Sequence, residues 1–269
     1  MIATIVLSAI IFAALLYLIV VAALYALEYR MIFRTDRSRK NFPVAEKDSF
    51  IMTAKDGVKL EGFWRKNGSR TALVWFDGNA DNVRYACNLL DSLRETTLSS
   101  IDVVGLNYRG FANSEGKPSE KALFADAAQL YDTVSPRYDR VVLLGRSLGT
   151  GIVAFISSVR TTNGVILITP YESMVRLIKR YFGFLLVHYL ARNRFDSAYF
   201  WRKNHTPCAI LEVVGDKVIP NSHTRSLAAQ IQNLLLHEKV SDCTHASIIH
   251  DTKMSCFIDR ALANFHING

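Results

Sequence analysis

Residues 140–151 read "RVVLLGRSLGTG": a run of β-branched residues and leucine, then a serine with glycine two positions to either side. A short apolar run bounded by glycine reads as a buried strand, and 148–159 reads as the helix that follows it. Between them, G-x-S-x-G places Ser147 on a sharp strand-to-helix turn, where Gly145 and Gly149 supply the room that larger neighbours would take away. The helix starting behind Ser147 aims its first N–H groups at any oxyanion forming there. Small residues in a tight turn explain the glycines alone, but a strand before and a helix after make Ser147 a candidate nucleophile.

The same rhythm runs through the rest of the chain. "SFIMTAKDGVKLEGFWRK" (49–66) alternates on either side of Lys55-Asp56-Gly57, as a β-hairpin does. Strands are then expected at 71–76, 102–107, 140–145, 164–169, 208–214 and 233–241, and helices at 82–94, 119–134, 148–159 and 252–265. Apolar runs alternating with helical periods predict an α/β domain with a mostly parallel central sheet covered by helices on both faces. Residues 170–207 interrupt this order with an aromatic and basic stretch, which reads either as a short lid insertion at the carboxyl edge of the sheet or as an ordinary crossover helix.

The chain has 269 residues, half of them hydrophobic, and a formal net charge of +8. The apolar excess sits at the start: from Met1 to Leu27 there is no charged side chain, longer than the ~20 apolar residues that cross a bilayer as a helix. A cleaved leader has a basic start and a small-residue cleavage site, and neither is present. Residues 1–28 are therefore expected to be a transmembrane anchor, 29–46 a basic juxtamembrane linker, and 47–269 the catalytic domain. Arg30, Arg34, Arg37, Arg39 and Lys40 follow the span; such residues tend to stay cytoplasmic and can meet anionic headgroups. This predicts a single-pass membrane protein with its domain on the cytoplasmic face. The same cluster accounts for part of the net charge, and no zinc-ligand spacing or aromatic-basic RNA motif accompanies it, so no nucleic-acid partner is expected. Cys87, Cys208, Cys243 and Cys256 are widely spaced, as free thiols rather than a disulfide framework.

A serine hydroxyl needs a base, and the base needs an orienting carboxylate. In this architecture the order is serine, acid, histidine. "LEVVGDKVIP" (211–220) offers Asp216 in a turn after a late strand, with Glu212 inside the strand as its rival. Among later histidines, His223 opens a helix, His237 lies in a strand and His266 at the chain end. His245 in "SDCTHAS" lies in the loop proper, with His250 second. Cys243, two residues earlier, reads as a bystander. The oxyanion hole is assigned to the backbone N–H groups of Leu148 and of Asn79 in "FDGNADN" (76–82).

Together these residues resemble the α/β-hydrolase superfamily and, more narrowly, its membrane-anchored, single-pass ABHD-type serine hydrolases. The resemblance covers residues 47–267 and rests on "FDGNADN", "NYRGFANSEGKPSE" (107–120), "GRSLGTG", "RFDS" (194–197), "GDKVIP" (215–220) and the His245 loop, in family order. It implies an α/β-hydrolase fold preceded by one transmembrane helix, and a structural loop at Tyr108, Arg109 and Gly110 beside the active site. Asp77 stands where the subgroup usually has histidine, Thr244 where a glycine commonly precedes the base, and Ala246-Ser247 where Asn-Asp often follows. The expected activity is hydrolysis of an ester, thioester or related acyl bond without metal or cofactor, on an acyl-containing substrate such as a lipid or lipid-modified protein. The alternatives are a serine peptidase and a catalytically silent, membrane-tethered binding or scaffolding protein.

Overall fold

The computed structural model describes residues 2–38, 44–93, 96–180 and 191–267. A long helix, α1 (Ile2–Ile32), leads into a single turn at Thr35–Ser38 and then the hairpin β1 (Ser49–Thr53) and β2 (Lys59–Arg65). The alternation follows as β3 (Thr71–Phe76), α2 (Arg84–Ser92), β4 (Asp102–Leu106), α3 (Glu120–Val134), β5 (Arg140–Arg146), α4 (Leu148–Val159) and β6 (Gly164–Ile168). After the short helices α5 (Met174–Lys179) and α6 (Ser197–Trp201) come β7 (Cys208–Val213), α7 (Asn221–Ala228), β8 (Leu234–Val240) and α8 (Thr252–Asn264).

The eight strands form one sheet in the order β1-β2-β4-β3-β5-β6-β7-β8. Every neighbouring pair from β4 to β8 is parallel, and only the hairpin and its junction with β4 are antiparallel. Side chains alternate across a strand, so the two faces bury separate cores. Val74, Phe76, Val141 and Leu143 pack with α3 and α4 residues such as Leu130 and Ile152. Leu73, Trp75, Val142 and Leu144 pack with α2 and α8 residues such as Leu90 and Phe257. Apolar runs buried on both faces are what parallel strands require, and β3, β4, β6 and β7 are buried along their whole lengths.

The sheet and helices lie where the apolar periods put them. α1 continues past residue 28 to Ile32, and Ile32 and Phe33 are buried in the domain core. Glu28 and residues after it find partners on the domain. Residues 39–43 of the expected linker lie outside the described residues, as do 181–190 of the segment read as a lid or a crossover helix. Before that gap Val175 is buried, and after it Phe195, Ala198 and Trp201 are. α1 itself is long and apolar enough to cross a membrane, with Ile2 to Ile19 largely exposed; at 1.5 Å per residue it extends about 46 Å.

Candidate active site

β5 ends at Arg146 and α4 begins at Leu148, which leaves Ser147 as the single residue of the turn. Its backbone sits at φ 48°, ψ −113°, a positive φ outside even the left-handed helical well. Neighbours hold it there: Ser147 N donates to Ile168 O at 2.9 Å, and Thr150 N donates to Ser147 O at 3.0 Å. Both glycines are sterically required. A Cβ on Gly145 would lie 2.6 Å from Gly149 O, and one on Gly149 would run into the Phe76 carbonyl.

The structure brings Ser147, His245 and Asp216 into one hydrogen-bonded line. His245 Nε2 lies 2.9 Å from Ser147 Oγ, and His245 Nδ1 lies 2.7 Å from Asp216 Oδ2. An ionised Asp216 can only accept, so Nδ1 carries the proton and Nε2 is left to accept from the serine. Asp216 sits in the turn after β7, where its Oδ1 accepts from Val218 N at 2.7 Å and Ile219 N at 2.9 Å. Its side chain is 2% exposed and that of His245 11%. The loop carrying His245 is held by the residues that depart from the subgroup pattern: Thr244 N donates to Ser247 Oγ and Ser247 N to Thr244 Oγ1.

The rival residues lie elsewhere. His250 is exposed, ends a short 3₁₀ turn at Ser247–His250 and packs edge-on against Tyr85. His237 is 2.9 Å from Glu212, which removes both from the line. His223 faces Glu172 at 3.3 Å, and its burial lowers its pKa. Burial raises the Cys243 thiol pKa, opposite to what an activated thiolate needs.

Leu148 is the first residue of α4, where an N–H has no intrahelical acceptor. Asn79 lies in the loop after β3, and its side-chain oxygen accepts from Arg34 N at 2.8 Å. The preceding Asp77 is buried; its Oδ1 accepts from Trp75 Nε1 at 2.8 Å, while Oδ2 has no partner among the described residues. Burial first, and the nearby Asp81 carboxylate second, push its pKa up to about 7. Tyr108 Oη donates to the Asp77 carbonyl at 2.6 Å, so the "YRG" block supports this loop. Arg109 ties Asp56 of the hairpin turn to Asp126 of α3, and Gly110 adopts φ 71°.

Sequence reasoning missed Arg146 and Asp81. The buried Arg146 guanidinium pairs with Asp81 through Nη1 and donates from Nη2 to the His245 carbonyl at 2.7 Å. Asp81 Oδ2 in turn accepts from Gly78 N at 2.9 Å. One cation thus joins the end of β5, the loop after β3 and the loop carrying His245. The available signal was a charge ending an otherwise apolar strand, since such a group must find a partner. Among the described residues, no cluster of three or more His, Cys, Asp or Glu side chains is arranged to hold a metal ion.

No protein-family model matches the chain. An uncharacterized protein of Mycobacterium tuberculosis is 25% identical over 186 residues, covering 66% of this chain and 65% of that protein; the chain thus spans just under two thirds of that relative. An uncharacterized membrane protein of Saccharomyces cerevisiae is 29% identical over 226 residues, covering 77% of this chain and 78% of that one. The alpha/beta hydrolase domain-containing protein 17C of Xenopus laevis is 32% identical over 114 residues, 41% of this chain and 36% of that protein. Among solved structures, an esterase of Pyrococcus furiosus has a TM-score of 0.63 at 16% identity, covering 84% of this chain and 97% of that one. An alpha-beta hydrolase of Vibrio vulnificus has a TM-score of 0.64 at 17% identity, covering 86% and 89%. With its strand order, its strand-to-helix serine turn and these likenesses, the chain has the α/β-hydrolase fold.

Proposed function

We propose that the chain is a membrane-anchored serine hydrolase that cleaves an ester, thioester or related acyl bond. The observation that carries this reading is the Ser147–His245–Asp216 line, at 2.9 Å and 2.7 Å, built on a strained serine. His245 Nε2 takes the Ser147 proton as Oγ attacks the acyl carbonyl carbon. Asp216 keeps the imidazole in the required tautomer and stabilises the imidazolium. The Leu148 and Asn79 N–H groups hold the oxyanion, and His245 then gives its proton to the leaving group. Water attacks the acyl-enzyme as His245 takes its proton, which returns to Ser147 Oγ when the acid leaves. In this proposal α1 crosses the bilayer, and the basic residues after it keep the domain on the cytoplasmic face. An acyl chain attached to a lipid or protein at that surface is the substrate class this arrangement suits.

The test uses the full chain in detergent micelles: labelling by a fluorophosphonate, and hydrolysis of p-nitrophenyl esters from acetyl to palmitoyl. Labelling and turnover are expected to vanish in Ser147→Ala and turnover in His245→Ala, with His250→Ala unaffected. A folded wild-type chain that neither labels nor exceeds Ser147→Ala on any ester would overturn the proposal in favour of a catalytically silent scaffold.

A further inference from the structure

α1 does not hand over to the domain through a free tether. Glu28, 7% exposed and the first charged residue of α1, accepts from Arg192 N at 2.9 Å, Arg192 Nε at 2.8 Å and Asn193 N at 3.0 Å. Asn193 Oδ1 accepts from Glu120 N, and the Glu120 carboxylate accepts from Arg194 N and Phe195 N. Five residues further on, just past the end of α1, Phe33 packs edge-on against Phe195. The next residue, Arg34, donates its backbone N–H to Asn79 Oδ1 at 2.8 Å, and Ser38 Oγ accepts from Ala112 N at 3.0 Å. Four successive attachments therefore fix the end of α1, and the third falls on the residue assigned as an oxyanion donor.

We propose that residues 28–38 are a positioning element of the active site: the docked end of α1 holds the Asn79 side chain and so sets the direction of the Asn79 N–H. The proposal rests on the reading of the site as a serine hydrolase. The physics is that of preorganisation. An oxyanion donor works by being aimed before charge develops, and a loop held only from within would re-aim it at a cost in turnover. Arg34 supplies the outside hold through its main chain, so the hold depends on where the helix end sits rather than on the arginine side chain. Seating of α1, through Glu28 and Phe33, thereby becomes a condition for catalysis.

The test uses the full chain in nanodiscs, with Asn79→Ala, which keeps the N–H and loses the acceptor, and Glu28→Ala, which acts 51 positions away in the chain. Hydrogen exchange over residues 77–83 is read beside kcat and KM on a short p-nitrophenyl ester, with kcat normalised to sites titrated by a fluorophosphonate. Both variants are expected to speed exchange in 77–83 and to lower kcat about tenfold with KM nearly unchanged, the scale of one lost hydrogen bond. Asn79→Asp, which keeps an acceptor, is expected to restore slow exchange. Faster exchange at 191–195 alone in Glu28→Ala, with 77–83 and kcat per titrated site unchanged, would overturn the proposal. If no variant or wild-type chain shows Ser147-dependent turnover, the hydrolase reading fails, while exchange in 77–83 still reports whether α1 holds the loop.

Discussion

Ser147→Gly is expected to abolish turnover and yet melt above Ser147→Ala. Both substitutions remove the same hydroxyl and its 2.9 Å contact with His245, so that loss cancels between them. They differ in the backbone. At φ 48°, ψ −113° alanine keeps the strain of a sparsely populated region, on the order of 1–3 kcal/mol, and toward the upper end because ψ lies outside the left-handed well. Glycine relieves it and gives back roughly 0.5–1 kcal/mol in unfolded-chain entropy and about 0.8 kcal/mol for a lost buried methyl. The balance favours glycine by about 1 kcal/mol, or roughly 2–4 °C in Tm for a chain of this size. The assay is thermal unfolding of the two full-length variants in the same detergent, followed by tryptophan fluorescence. A Ser147→Gly chain that melts with or below Ser147→Ala would refute the claim that this turn stores strain for function.

Asp77→Asn keeps the shape and the acceptor for Trp75 Nε1 but removes a buried acid. Because the folded pKa is raised from 3.8 to about 7, the native state binds the extra proton, and the stability from Asp77 is full below about pH 4 and lost as pH rises through 7. The variant should therefore gain on wild type as pH goes from 4 to 8, and a pH-independent difference in Tm would show that Asp77 ionises as in the unfolded chain. Arg146→Met leaves the Asp81 carboxylate without its cation and is expected to cost about 3–5 kcal/mol in chemical denaturation. Arg146→Lys keeps a charge but not a fork, so it should lower kcat per titrated site about tenfold; an unchanged kcat would mean the His245 carbonyl needs no such hold.

Much of the architecture was written in short-range patterns. The buried runs 71–76 and 140–145 became β3 and β5, and Lys55-Asp56-Gly57 became the hairpin turn with Gly57 at φ 86°. The residues of the candidate site were legible for a related reason: each sits just past a strand, where a local signal (glycine spacing at Ser147, a Gly-Asp turn at Asp216, a loop histidine at 245) marks it. What could not be read was pairing over distance. Arg34 lies 45 positions from Asn79, and Arg146 lies 65 from Asp81. No periodicity links such residues, because the fold alone makes them neighbours. The partners of Glu28 were hidden for the same cause, since a first charge ends an apolar count whether it faces water or the backbone of 192–193.

Yet the hidden contacts left a trace of another kind. Glu28 is the first charge in α1 after a long apolar run, Asp77 follows a strand buried at every position, and Arg146 ends a strand otherwise apolar after its first residue. Each breaks its local pattern, and each is buried. Burying an ionisable group costs several kcal/mol unless partners compensate, so each must be satisfied by the fold or kept neutral. The structure answers with an N–H cluster for Glu28, an indole and a raised pKa for Asp77, and a bridge between two loops for Arg146. Arg146 and Asp77 touch the loops that hold His245 and Asn79, and Glu28 seats the helix end that reaches Asn79. Local rules are broken where function asks for it, and a charge inside an apolar run is the form that breach takes in this chain.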